Sequence, residues 1–152
     1  MPDDHRKFVP HPMGEDRRRS IAQLIRILIA IDDPLVLDEQ KLQVIDTLLW
    51  KFTEADGKHK TPFRSVAALG VSSNLQLRHD HVATREQLKH LLIKSRPEQV
   101  DFILQEAVGC LVTIEEHDRL PHDRQSFGWQ RYEEASIPWV DLRKAASSTT
   151  DH

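Results

Sequence analysis

Leu75-Gln76-Leu77-Arg78-His79-Asp80-His81-Val82 and Cys110-Leu111-Val112-Thr113-Ile114-Glu115-Glu116-His117-Asp118 bracket the part of the chain that decides its fold. In the first stretch Leu75, Leu77, His79 and His81 alternate with Gln76, Arg78, Asp80 and Val82. A period of two predicts a short strand. In the second, Cys110 to Val112 is an apolar strand candidate. Thr113 then stands three residues before Glu116, a capping box that launches a helix, and Pro121 ends it. The connection holds two predicted helices. One runs from Thr84 to about Ser95 with Leu88, Leu91 and Leu92 apolar. The other is opened by Pro97-Glu98, turns Val100, Ile103, Leu104 and Ala107 inward, and ends at Gly109.

Upstream, Ile21, Leu24, Ile25, Leu28 and Ile31 recur at helical steps and predict a helix over about 15–31, well buried in its second half. Asp32-Asp33-Pro34 stops it. A second helix from about Asp38 to Ala55 turns Leu42, Ile45, Leu48, Leu49 and Phe52 inward and closes at Gly57, completing an antiparallel hairpin. Thr61-Pro62 reads as the cap and first position of a short helix ending before Gly70. Downstream, a polar loop over 121–128 precedes a short helix over 129–135, and 137–142 reads as a last extended segment. The expected class is α+β and mainly helical: an N-terminal helical hairpin, then a helix-rich C-terminal part with two or three short strands. Residues 1–14 are expected to form a flexible arm, 15–143 a single globular domain, and 144–152 a flexible tail.

Composition narrows the function classes. With 152 residues the chain fits one modest core. Its 21 basic and 24 acidic side chains leave a net charge of −3, which argues against a general nucleic-acid coat or a polybasic membrane binder. A single cysteine, Cys110, cannot form an internal disulfide and sits in an apolar run, where a thiol packs as a small hydrophobe. No run of 18 apolar residues exists and no signal-like segment follows Met1, so the expected location is the cytoplasm, without a membrane span.

Metal-capable and acid–base side chains gather in the opening stretch. His79 and His81 share one strand face, and with His117 they could form a three-histidine zinc site. They equally suit a polar strand face, as Glu115, Glu116 and Asp118 suit a helix N-terminus. A regular strand sends Asp80 and His81 to opposite faces, so both could serve one site only at a bend or bulge. From Arg78 through Arg96 there are five basic and two acidic residues. Arg78, Arg85 and Lys89 could therefore track a phosphate backbone, or simply form a solvated face. Residues 114–134, with six acidic and three basic side chains, would repel such a substrate unless a cation intervenes. Arg17, Arg18 and Arg19 open the first helix, as a solvated end or a contact for a phosphate or an acidic partner. His5, His11, His59, His90, His122 and His152 are read as solvated. Trp129, Tyr132, Ile137 and Trp139 are read as core or lid.

Asp80-His81-Val82, then Leu111-Val112-Thr113 and a helix bearing His117 and Asp118, resembles the HNH (ββα-metal) nuclease family in that order. The resemblance implies metal-dependent hydrolysis of phosphodiesters, or a degenerate relative of such an enzyme. His81 would be the general base, Asp80 a metal ligand and His117 or Asp118 the helix ligand, with His79 and Glu116 as further candidates. The cofactor would be a divalent metal, magnesium or manganese or else zinc, and the partner a nucleic acid. Arg78 to Val82, Val112 to Glu116 and Trp129 to Ile137 also resemble a group of small uncharacterised bacterial proteins, a likeness that names no activity. The competing expectation is a non-enzymatic interaction module: a regulator, antitoxin or immunity-type protein. It would meet a protein partner or a second copy through the N-terminal hairpin, where Ile27, Ile29 and Leu48 exceed one face's needs.

Overall fold

A computed structural model describes residues 7–122 and 125–144. The sequence expectations for 1–6 and 145–152, His5 and His152 among them, lie outside those residues.

The class is α+β, as the patterning implies, and the chain starts with a helical hairpin. Helix α1 (Gly14–Ile29) packs against α2 (Asp38–Thr53). Strands β1 (Phe63–Ser65), β2 (Leu77–His81), β3 (Gly109–Thr113) and β4 (Trp139–Asp141) form one sheet in the order β2-β3-β1-β4. The β1–β3 pair is parallel and the other two pairs are antiparallel. Helices α3 (Arg85–Ile93) and α4 (Val100–Leu104) fill the connection between β2 and β3. Helix α5 (Ile114–Arg119) follows β3 directly, and α6 (Gln130–Glu134) precedes β4. No described helix is long and apolar enough to cross a membrane.

Local chemistry sets these boundaries. Thr84 caps α3 in a capping box with Gln87, and Thr113 caps α5 in one with Glu116. In each box two backbone N–H groups that lack helical acceptors are satisfied reciprocally. Leu75 and Gln76, read as strand, instead form a 3-10 turn with Asn74, capped by the Ser73 hydroxyl. Helix α1 ends two residues earlier than the periodicity predicts.

The larger correction is β1. The segment after Thr61-Pro62 does not start a helix; the only helical part of the predicted span is a 3-10 turn over Ala67–Gly70. Phe63, Arg64 and Ser65 form a central strand, hydrogen-bonded to β3 on one side and β4 on the other. Three residues carry no readable period. Their strand state comes from the two neighbours that satisfy their backbone, and the Thr61 hydroxyl adds a bond to the Gly109 carbonyl.

Hydrophobic burial divides into three clusters. The first joins the hairpin to α3 and α4 through Ile21, Ile25, Ile45, Leu49, Leu88 and Leu92, all buried. The second covers one sheet face with Phe63, Cys110, Val112, Tyr132 and Ile137; Trp129 and Trp139, stacked on each other with ring centroids 3.7 Å apart, pack against it. The third, on the opposite face, holds Ala68, Leu77 and Leu111. The four aromatic and aliphatic residues read as core or lid therefore belong to the core or its margin. Burial raises the Cys110 thiol far above its usual range, consistent with an inert packing role.

The hairpin is less buried than its sequence implies. Leu24 is 49% exposed and Ile27 55%, because α1 meets α2 and α4 along Ile21, Ala22 and Ile25. Its three leading arginines are not a simple solvated end. Arg17 donates to the Ala55 carbonyl at 3.0 Å and Arg18 bonds Asp56 at 2.8 Å, next to the C-terminal end of α2, where positive charge is favoured. Arg19 faces Glu15 at 3.6 Å. Asp56 also accepts from the His11 backbone at 2.9 Å, tying the preceding segment to the domain.

Candidate functional site

Antiparallel pairing of β2 with β3 sets which side chains share a face. His79 lies opposite Leu111 and His81 opposite Gly109, while Asp80 lies opposite Cys110. The ladder is regular, so His79 and His81 point to one side and Asp80 to the other. The two histidines help line a cleft of about 930 Å³, joined there by Trp50, Arg85, Lys89 and His117.

Trp50, on α2, organises the inner wall. Its ring meets His81 edge-on at 4.4 Å and His79 at 5.4 Å between centroids, and the two imidazoles lie 5.1 Å apart. On the outer side the Arg85 guanidinium stands 4.8 Å from the Trp50 ring, a cation–π contact. Arg85 bonds Asp46 at 2.5 Å, and Lys89 bridges Asp46 at 3.4 Å and Glu86 at 2.8 Å. Thus α2 and α3 present two cations at the mouth, each already paired with a carboxylate.

The histidines are held neutral. Burial, followed by the charges of His79, Arg85 and Arg131, lowers His81 to about 3. Burial and then His59 lower His79 to about 4. The Thr53 hydroxyl donates to the Trp50 carbonyl at 3.1 Å and lies 3.0 Å from His81 Nε2. With that hydroxyl proton committed, His81 donates from Nε2, which leaves Nδ1 with the lone pair. Both ring nitrogens of His79 are buried without a hydrogen-bond partner.

Folded-state values below the ordinary histidine value of 6.5 link protonation to stability. Below about 6.5 the unfolded chain takes up protons that the folded chain refuses, so stability is complete above that pH and falls as pH drops toward 4 and 3. Denaturant titrations at a series of pH values should show this decline. Replacing His79 with Gln should flatten it. An unchanged slope in that variant would mean other groups carry the acid sensitivity.

His79 owes its seat to Gly109. A Cβ at Gly109 would stand 2.4 Å from Cε1 and Nε2 of the His79 ring, well inside contact distance. Gly109→Ala should displace the imidazole and cost about 1–3 kcal/mol, the usual range for overpacking. Chemical denaturation reads the cost and the His79 ring resonances read the displacement. Wild-type stability with unmoved resonances would contradict this packing.

The structure does not bring all the candidates together. Asp80 is buried and faces away from the histidines, with its oxygens held by Arg131 at 3.1 and 3.4 Å and by the Tyr132 hydroxyl at 2.7 Å. No bend or bulge re-aims it, so although Asp80 borders the cleft its carboxylate is engaged as an anchor of the strand. Glu116 is buried in the capping box and accepts the Ser65 hydroxyl at 2.5 Å, a clamp between α5 and β1. Asp118 is exposed and lies outside the cleft lining, and Arg78 folds back onto the Leu77 carbonyl at 3.0 Å. His81, His79, His117, Arg85 and Lys89 do share the cleft, which Asp80 also borders.

Sequence reasoning missed Trp50, Thr53, Asp46 and His122. His122, read as solvated, is exposed yet lines the cleft, with its ring 5.6 Å from His117. His59, read the same way, is half-buried and held with φ +59°. Only Arg131 carried a sequence signal, through Trp129-Gln130-Arg131-Tyr132. Among the described residues no three His, Cys, Asp or Glu side chains converge as a ready metal-binding group.

No protein-family model, curated protein or solved structure matches this chain. Fold and site together define an α+β protein with a histidine- and tryptophan-lined cleft beside a two-stranded ladder that runs directly into a capped helix.

Proposed function

We propose that the cleft binds a phosphodiester and hydrolyses it with a divalent cation, as in HNH-like (ββα-metal) nucleases. One observation carries this reading. Strands β2 and β3 pair antiparallel and β3 runs into α5, with His79 and His81 on the first strand and His117 on the helix lining one cleft. The buried, unbonded ring nitrogens of His79 supply the fit for a cation. With Asp80 and Glu116 engaged elsewhere, and Asp46 and Glu86 paired with Arg85 and Lys89, imidazoles are the main donors left among the sequence candidates. That set suits zinc or another imidazole-binding cation better than magnesium, which prefers oxygen.

The chain's own residues divide the work as follows. His81, neutral and donating Nε2–H to Thr53, offers Nδ1 to a proton from water. A bound phosphodiester brings negative charge that raises the depressed basicity of this imidazole. His79 and His117 would hold the cation. Arg85 and Lys89 exchange part of their pairing with Asp46 for the phosphate oxygens, and Trp50 keeps the inner wall dry. When bound, the cation stabilises charge on the leaving oxygen. The test is cleavage of single- and double-stranded DNA and RNA by the purified chain with zinc, manganese or magnesium. Chelator-sensitive cutting is expected. Absence of cutting with every metal would remove the enzymatic reading.

A second reading is favoured by the apolar side chains around the hairpin. Leu24 and Ile27 on α1 and Leu35 and Leu37 in its connection are 49%, 55%, 90% and 57% exposed. They suit a protein partner or a second copy of the chain. That reading requires a complex that withstands chelator and is lost with Ile27→Glu. A monomer that recruits nothing would exclude it.

A further inference from the structure

Helix α2 presents a row of side chains to the histidine cleft: Glu39, Gln43, Asp46 and Trp50. Steps of four, three and four positions put them on one helix face. At the helical rise per residue the row is about 16 Å long. Trp50 ends it at the histidines, with ring centroids 4.4 Å from His81 and 5.4 Å from His79. Glu39 ends it in the first turn of α2, at the far rim.

Glu39 differs from the other carboxylates of the lining. Asp80 is held by Arg131, Asp46 by Arg85 and Lys89, and Glu86 by Lys89 and His90. Glu39 is exposed. Among the described residues it is the one lining carboxylate with neither an ion pair nor a side-chain hydrogen bond. An acid in a first turn suits the helix dipole, but Asp38 already meets that preference one residue earlier.

The cleft therefore has no surplus of positive charge. At its mouth Glu39, Asp46 and Glu86 stand against Arg85 and Lys89, and the two inner histidines are neutral. A protein that grips a duplex by its backbone neutralises about 6–10 phosphates with Lys and Arg. Here two such side chains face the mouth, and both are already paired. The volume of about 930 Å³ is that of a small-ligand pocket, about 300–1,000 Å³. His81, at its floor, is only 7% exposed.

We infer that the cleft takes a short single-stranded oligonucleotide, a few nucleotides long, and rejects duplexes and long strands, with Glu39 setting the limit. The inference rests on the hydrolytic reading for the group bound at the histidines. A phosphodiester at the inner end lies beside Arg85 and Lys89. A strand that continues along α2 carries its next phosphates past Gln43 to an uncompensated carboxylate, and a duplex carries two strands of them.

The experiment reads binding and cutting separately, on the whole chain with manganese or zinc at low ionic strength. Fluorescence anisotropy of labelled strands reads binding to the His81→Ala chain, and the native chain is assayed for cutting. The ligands are a trinucleotide, a single strand several times longer, and that strand annealed to its complement. The trinucleotide should bind about tenfold more tightly than the duplex. Glu39→Gln should narrow that ratio about three- to fivefold, the scale of one exposed charge contact. Gln43→Lys, which adds a cation to the same row, should narrow it as well. Both positions are exposed on α2, so the fold tolerates both changes. A duplex bound as tightly as the trinucleotide would overturn the inference, and so would a ratio that Glu39→Gln leaves where it was. Failure of every strand to bind would do the same. The expected order of binding without any cutting would uphold the inference and remove the hydrolytic step alone.

Discussion

Arg131→Ala should cost about 3–5 kcal/mol, the range for breaking one partner out of a buried ion pair, and so remove much of the stability of a domain this size. The guanidinium is fully buried. It donates from Nε to the Pro121 carbonyl at 2.8 Å and from Nη1 to the carbonyls of His81 and Val82 at 2.9 and 2.8 Å, besides its two contacts with Asp80. One side chain therefore holds the end of β2, the chain after α5 and a buried carboxylate. Alanine leaves Asp80 with the Tyr132 hydroxyl, whose pKa burial raises so that it stays a donor. Three carbonyls lose a bond at the same time. Lysine would not rescue, because a single ammonium cannot reproduce the planar fork.

Thermal and denaturant melts measure the loss, and a cycle with Asp80→Asn tests the pairing. The double variant Asp80→Asn/Arg131→Met should be more stable than Arg131→Ala, since no uncompensated charge then remains buried. A loss below about 1 kcal/mol for Arg131→Ala, within the range of an exposed ion pair, would refute the anchoring role. Asp80→Asn separates the two accounts of Asp80. An anchor loses stability first, whereas a metal ligand would lose cleavage in a protein that melts normally.

His81→Ala should lower metal-dependent cleavage by about 10²–10⁴-fold, the contribution of a positioned general base. The structure allows a selective loss. His81 is near the end of β2 and its ring contacts Trp50 and Thr53, while its backbone carbonyl is held by Arg131 whatever the side chain. Removing the ring should spare the Arg131 anchor. Thr53→Val provides a second readout. It removes the hydroxyl that fixes the His81 tautomer, so the acid limb of the pH–rate profile should shift while the fold persists. Full activity in His81→Ala, with the chain still folded and the metal still required, would transfer the base role elsewhere in the cleft.

The fold was largely legible where short-range chemistry decides it. Thr113 announces a capping box because cap geometry involves only four successive residues, and the box forms; Thr84, read only as a helix start, caps α3 in the same way. Alternation from Leu77 to His81 announces a strand because one face meets the Leu111 side and the other meets Tyr132. Strand β1 was not legible. Phe63-Arg64-Ser65 is too short to show a period, and its state is imposed by β3 and β4, which lie far off in sequence. The site was half legible for the same reason. Adjacent Asp80 and His81 looked like partners in one centre, but the regular pleat separated them and Arg131, 51 residues away, claimed the carboxylate.

By itself the sequence determined the helical hairpin, the helices on either side of β3, the Thr113 capping box, the β2 and β3 strands and the clustering of imidazoles near them. Those features depend on neighbours within a few positions, where backbone geometry and side-chain capping act. Tertiary structure alone decided that Trp50 and Thr53 of α2 would meet His79 and His81, that Gly109 would make room for an imidazole, and that Asp80 and Glu116 would serve as internal anchors. The reason is that burial and charge pairing are satisfied between elements distant in the chain, so a side chain's role depends on what packs against it.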